Sequence, residues 1–256
     1  MSSTPFNLLF LALLLLALTP AAAQTRVARE TNSATYYYTD GVMHYESGRH
    51  TKAIESFAMA LRLKPDYGLA HNGIGVAYTE LGLCEEAIKS LKHAMRLAPA
   101  MAEAHRNLGF AYYRMGRYSE ALEPYQQAIL LNPSYTFAHS DLGVAYVLLG
   151  RQEEALKEFK TTIDLDPHFA GAFKNLGTLY SNLGRYADAI QAYEQAIRLE
   201  PDNSSARFYL SRVYLYVGMR DAALRQYTVL KSSNAVLARQ LYESLYSDKV
   251  LNAAKK

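Results

Sequence analysis

Small and apolar side chains recur along this chain at helical steps. In one stretch Leu108, Ala111 and Tyr112 are followed by a glycine at Gly116 and then by Ala121, Tyr125 and Ala128. Spacings of three and four put each set on a single face of a 3.6-residue helix, with polar positions on the other face. A glycine between two such sets closes the first helix, because it takes a left-handed backbone without a Cβ penalty. Acids such as Glu120, Glu153, Glu154 and Asp188 come just after that glycine, where the positive start of a second helix favours them. A proline then stops the second helix and presets the turn that follows. The pattern predicts helix, turn, helix, turn.

The same order recurs at a fixed period. Pro65, Pro99, Pro133, Pro167 and Pro201 are thirty-four residues apart, as are Gly48, Gly82, Gly116, Gly150, Gly184 and Gly218, and as are Ala53, Ala87, Ala121, Ala155, Ala189 and Ala223. Three residue classes sharing one period define a repeat array. Six repeats are expected, over 34–67, 68–101, 102–135, 136–169, 170–203 and 204–237. Gly75, Gly109, Gly143 and Gly177 in the first helices, with the alanine row in the second, predict close helix–helix approach. A last apolar stripe, Leu237, Leu241 and Leu245 with Ala238 and Tyr242, predicts a capping helix over 235–247 and leaves 248–256 as a tail.

The N-terminus differs in kind. Residues 1–23 hold no charged side chain, and Leu8 to Leu18 form an apolar run the length of a signal-peptide core, too short to span a bilayer comfortably. Thr19-Pro20 and the small residues Ala21 to Ala23 predict an export signal over 1–23, cleaved after Ala23, followed by a flexible segment over 24–33. The leading run has no Lys or Arg, so a membrane tether through an uncleaved N-terminus is the alternative. Export implies a periplasmic or secreted protein.

The 256 residues are half apolar and carry a net charge of +3 with no dense run of like charge, which argues against nucleic acid as a partner. The single cysteine, Cys84, rules out an internal disulfide framework and reads as a small packing residue.

Leu-Gly, Tyr three residues on, then Gly, Ala, an aromatic, Ala and Pro at these offsets resemble the tetratricopeptide-repeat (TPR) family. The resemblance covers nearly all of the chain after its leader and implies an all-α fold, a right-handed superhelical solenoid of antiparallel helix pairs whose first helices line a concave groove. Asp40 and His44 in the first repeat, and Ser211 and Ala235 in the sixth, depart from the pattern, as end repeats do. The family's Trp near the start of each repeat is replaced by His71, His105, His139 or Phe173, which predicts looser packing there.

The candidate chemistry is sparse. Equivalent positions on neighbouring repeats stand a helix-packing distance apart, roughly 8–10 Å, whereas zinc needs each nitrogen within about 2.1 Å, so the histidine series reads as packing and no metal is expected. Gly73-Ile74-Gly75 lacks the third glycine of a dinucleotide loop, having Tyr78 there. Neither a catalytic constellation nor a small-molecule cofactor is expected. Arg49, Arg117, Arg151 and Arg185 follow the turn glycines and predict a charged edge, either simply solvated or facing an anionic surface.

What remains is binding. The resemblance implies groove positions, and carried onto this sequence they give a candidate peptide site of Asn72, Arg106, Asn107, Phe110, Tyr113, Asp141, Val144, Lys174 and Asn175. An extended or helical protein segment is expected to dock across repeats two to five, with Phe110, Tyr113 and Val144 giving apolar contact and Asn107 and Asn175 fixing its backbone. The expected role is an exported scaffold or adaptor, such as an assembly factor for an envelope or secretion complex. The alternatives are a non-catalytic substrate-presenting or regulatory subunit of an enzyme on another chain, and a self-assembling structural protein.

Overall fold

The structure, a computed structural model, describes the backbone of residues 20–253 and the side chains of residues 33–246. Among the described residues there are thirteen α-helices and no strand. They are α1 (Pro20–Glu46), α2 (His50–Leu63), α3 (Gly68–Glu80), α4 (Cys84–Leu97), α5 (Ala102–Arg114), α6 (Tyr118–Leu131), α7 (Thr136–Leu148), α8 (Gln152–Leu165), α9 (Ala170–Asn182), α10 (Tyr186–Leu199), α11 (Ser204–Tyr216), α12 (Arg220–Ser233) and α13 (Ala235–Ala253). The fold is the expected all-α repeat array, with two helices per repeat. The described residues divide into two compact units, with the boundary between Leu131 and Asn132.

The turns form as the glycines and prolines dictate. After α5, Gly116 takes φ 74° and the Arg117 N–H donates back to the Tyr112 carbonyl at 3.0 Å, the six-to-one bond of a Schellman turn. Asp166, ahead of Pro167, is extended at φ −140°, ψ 92°, because the proline ring excludes the helical region for the residue before it. Asn234 adopts a similar conformation with no proline after it, and its side chain accepts from the Leu237 N–H at 3.1 Å, starting α13 by capping instead.

In the first unit, Phe57 packs with Ala53, Ala60, Ala70, Ile74 and Ala77, and Leu91 packs with Ala87, Ile88, Leu108 and Ala111. In the second, Tyr193, Leu210, Leu230, Leu241 and Leu245 are the large members of a core that the capping helix completes. The first-helix glycines mark aromatic seats. A Cβ on Gly109 would stand 2.7 Å from the Tyr125 ring, and one on Gly143 would stand 2.6 Å from the Phe159 ring. Both rings are fully buried, so the helices of a pair meet through the glycine and the ring.

The departures at the array's ends are internally matched. Asp40 accepts from the Ser56 hydroxyl at 2.5 Å and lies 3.7 Å from His44, so the polar residues of the first repeat pair with one another. Ser211, in the glycine position of the sixth repeat, is fully buried and donates to the Arg207 carbonyl at 2.7 Å.

Two boundaries differ from expectation. Residues 24–33, expected to be flexible, are helical backbone within α1, because Pro20 is favourable at a helix start and no Gly or Pro follows before Gly41. The capping helix continues past 247 to Ala253, through a stretch with no breaker. Of the expected signal, residues 1–19 lie outside the described residues and 20–23 open α1. No helix among the described residues is long and apolar enough to cross a membrane.

Candidate peptide-binding faces

Within the first unit the first helices α1, α3 and α5 lie side by side, and their shared face carries Asn72, Arg106, Asn107, Phe110 and Tyr113. All five are half-buried, so each is held by the helix surface while its outer atoms reach solvent. The Asn107 amide donates to the Asn72 side-chain carbonyl at 3.0 Å, which ties neighbouring repeats together along this face. Phe110 and Tyr113 stack, with ring centroids 6.0 Å apart and planes 13° from parallel. One helical turn to either side of Phe110, the Arg106 and Arg114 guanidiniums lie 5.9 Å and 5.8 Å from its ring centroid, placed for cation–π attraction. Glu80 holds Arg114 at 3.8 Å. Tyr45 has its hydroxyl pKa raised, chiefly by burial and further by Glu80, with Arg106 opposing. The face is a guanidinium and aromatic cluster flanked by amides.

In the second unit Asp141, Val144, Lys174 and Asn175 lie half-buried on α7 and α9, which are also neighbours. Asn175 donates to the Ser140 hydroxyl at 3.5 Å, repeating the link between Asn107 and Asn72 at the limit of hydrogen-bond length. Farther along this face, a cavity of about 220 Å³ opens among residues of α9, α10 and α11, lined by Thr178, Tyr186, Tyr193, Tyr209, Arg212 and Tyr216 with others. None of these residues is among the nine expected from the sequence. The available signal was Tyr209, which occupies the repeat position held elsewhere by Asn107 and Asn175.

The histidines have work other than filling space. His71, His105 and His139 each place Nε2 3.0–3.3 Å from the carbonyl of the proline six residues earlier, Pro65, Pro99 and Pro133. This bond fastens the inter-repeat turn to the next first helix, where looser packing had been expected. His139 also has a carboxylate partner, Glu158, at 2.6 Å, which raises its pKa; burial opposes and the Pro133 carbonyl assists. His71 lies against His93 at 4.1 Å between ring centroids, and its pKa is lowered, mainly by burial and then by His93.

The arginine row is engaged internally. Arg117, Arg151 and Arg185 lie 4.3–4.8 Å from the ring centroids of Tyr112, Tyr146 and Tyr180, and each also bonds an acid three residues on, at 2.7–2.9 Å. These charges lock the turns, which weakens the reading of an edge built for an anionic surface. Cys84 is buried at the start of α4.

Residues 10–240 match the family model described as the cilia and flagella-associated protein 70 C-terminal domain, a TPR model. The chain belongs to this TPR family. No curated protein matches the sequence. Solved TPR structures share the fold. PilW, described as a widely conserved type IV pilus biogenesis factor, aligns over 83% of this chain and 98% of its own at 21% identity and TM-score 0.75. PilF of Pseudomonas aeruginosa aligns over 84% and 99% at 18% identity and TM-score 0.72. YrrB, described as a TPR protein with an unusual peptide-binding site, aligns over 72% and 94% at 24% identity and TM-score 0.54. Identities this low speak to the fold alone. In TPR terms, the chaperone-adaptor carboxylate clamp is not reproduced, because Phe110 stands where its asparagine belongs. The asparagine ladder of glycosyltransferase superhelices is broken, because its row reads Gly73, Asn107, Asp141, Asn175.

Proposed function

We propose that this TPR protein is a non-catalytic adaptor that holds a segment of another protein on its first-helix faces, through Asn72, Arg106, Asn107, Phe110 and Tyr113 in the first unit and Asp141, Val144, Lys174 and Asn175 in the second. The observation that carries the reading is the Phe110 cluster. A half-buried aromatic pair set between two guanidiniums offers apolar area at little entropic cost, together with donors for a peptide backbone. Asn107, already oriented by Asn72, supplies a directional amide beside it.

The site of action in this reading is the cell envelope or the exterior, as a periplasmic or secreted assembly factor. The support is the apolar leader with its small-residue cleavage pattern, and the fold shared with PilW, described as a type IV pilus biogenesis factor. N-terminal sequencing of protein expressed from the full gene is expected to give a mature chain starting at Gln24; retention of the leader would favour the tether.

The test of binding is a pull-down from envelope extract with residues 24–256, beside a variant carrying Asn107→Ala, Phe110→Ala and Asn175→Ala with its circular dichroism unchanged. A partner captured by the parent and lost by the variant is expected. Equal capture by both would move the site off these faces, and the absence of any partner would favour self-assembly.

A further inference from the structure

The cavity of the second unit differs from the rest of the surface in its charge. Its named walls are four phenols, a threonine and a guanidinium, and no carboxylate lines it. Arg212 lacks the acid partner that four other arginines of the turns and faces have. Arg114, Arg117, Arg151 and Arg185 each have an acid at hand. Arg212 packs instead over the Phe208 ring at 5.9 Å and is exposed, with no carboxylate paired to it among the described residues.

The floor beside that charge is fixed beforehand by Tyr193, and the exposed Tyr209 and Tyr216 stand at its mouth. Tyr193 is fully buried, its hydroxyl lies 3.0 Å from the Thr178 hydroxyl, and burial pushes its pKa up to about 12, so it remains a neutral phenol. The Tyr209 ring lies nearly parallel to it, 6.2 Å away and 19° from coplanar. Tyr186 and Tyr216 close the other side with ring centroids 4.5 Å apart. The guanidinium can only donate and the phenol hydroxyls can donate as well as accept, so the cavity offers donors and one positive charge to whatever fills it. Its volume of about 220 Å³ is below the roughly 300 Å³ from which small-molecule pockets begin, and suits a single side chain.

We infer that this cavity receives the carboxylate of a glutamate or aspartate side chain within the bound segment, with Arg212 as its charge partner and the Tyr209 and Tyr216 phenols beside it. A guanidinium takes a carboxylate through two parallel bonds, and the neighbouring phenols can donate to the same oxygens. The inference rests on the adaptor reading and narrows it: the partner's segment carries an acid where it crosses the second unit.

The test uses the full mature chain, labelled for NMR at arginine side chains and tyrosine rings, titrated with a tetraglutamate peptide blocked at both ends. Saturable shifts at Arg212, Tyr209 and Tyr216 are expected, with affinity lowered about tenfold or more for the blocked tetraglutamine peptide, a difference of about 1.4 kcal/mol. Arg212→Gln, an exposed and conservative change, should abolish them, and Tyr216→Phe should weaken them while leaving the circular dichroism unchanged. The inference is overturned by equal binding of both blocked peptides, by shifts that survive Arg212→Gln, by no saturable shift, or by response only to a tetraglutamine peptide with a free C-terminus. Failure here is separable from failure of the adaptor reading. Capture that depends on Phe110 but is indifferent to Arg212→Gln removes the carboxylate site alone, whereas capture indifferent to Phe110 removes the adaptor face.

Discussion

Gly143→Ala puts one methyl group into the tightest contact of the fourth repeat. The added Cβ would lie 2.6 Å and 2.8 Å from two carbons of the Phe159 ring, and 3.1 Å from a third. Carbon pairs are comfortable at about 3.5–4.0 Å, so ring or helix must yield by roughly 1 Å. Phe159 is fully buried and has nowhere open to turn. Overpacking of this kind costs about 1–3 kcal/mol, here toward the upper half, and alanine's better helix propensity offsets about 1 kcal/mol. The net loss is about 1–2 kcal/mol, and at 2–4 °C per kcal/mol for a chain of this size Tm should fall by about 2–8 °C. Thermal and urea unfolding followed by far-UV circular dichroism would measure it. The mechanism is isolated by repeating the change on a Phe159→Ala background, which itself should cost about 3–5 kcal/mol. With the ring gone the methyl meets no clash, so Gly143→Ala should become neutral or stabilising by about 1 kcal/mol, a coupling of about 1–3 kcal/mol. If Gly143→Ala had the same effect in both backgrounds, the glycine would not be a seat for the ring.

Three further outcomes are expected. The folded-state pKa of His139 is raised by Glu158, so the pair's pH-dependent stabilisation is full below the unfolded value of about 6.5 and is lost as pH rises through the folded value. The Tm advantage of the parent over Glu158→Gln should therefore be larger at about pH 6 than at about pH 9, and an NMR titration should show His139 titrating above an ordinary imidazole. Asn107→Ala removes the amide link to Asn72 and should cost about 0.5–1.5 kcal/mol in urea unfolding, with no change in helix content. Cys84, being buried, should react with a thiol reagent slowly in native buffer and completely in denaturant; rapid native labelling would contradict its placement.

The repeat architecture was legible because each of its devices is a single residue type with a local physical cause. A glycine at φ 74° and a proline that forces its predecessor to be extended need no tertiary context, so the helix ends between repeats fell where Gly116 and Pro167 predicted them. The position of α1's start was not legible, because residues 24–33 are polar enough to read as a tail, while nothing in them breaks a helix. Side-chain partners were harder still. That Arg151 would lie over the Tyr146 ring while bonding Glu154 depends on a Schellman turn folding residue 151 back over residue 146. The recurring order Tyr, four residues, Arg, two residues, acid was visible in the sequence, but its meaning lay in that geometry. The nine candidate residues were located through repeat positions and are all half-buried on first-helix faces. The tyrosine cavity escaped because it arises where the sixth repeat replaces the ladder amide with Tyr209, a change that reads in sequence as decay of the pattern.

Arg207 gives the histidine staple a wider meaning. In the sixth repeat it stands where the second, third and fourth have histidine, and its Nε and Nη2 reach the Pro201 carbonyl at 3.2 Å and 3.0 Å. It also meets Gln226 at 2.8 Å, nineteen residues away, the same separation as between His139 and Glu158. What His139 and Arg207 hold in common is thus a donor of a certain reach, with an acceptor across the pair, and two unlike side chains satisfy it. A scoring scheme that counts letters would mark Arg207 as a mismatch and place the array's edge before it. One that counted hydrogen-bond roles would match Arg207 to the histidines across the donorless Phe173 of the fifth repeat, and would recover degenerate copies that identity discards.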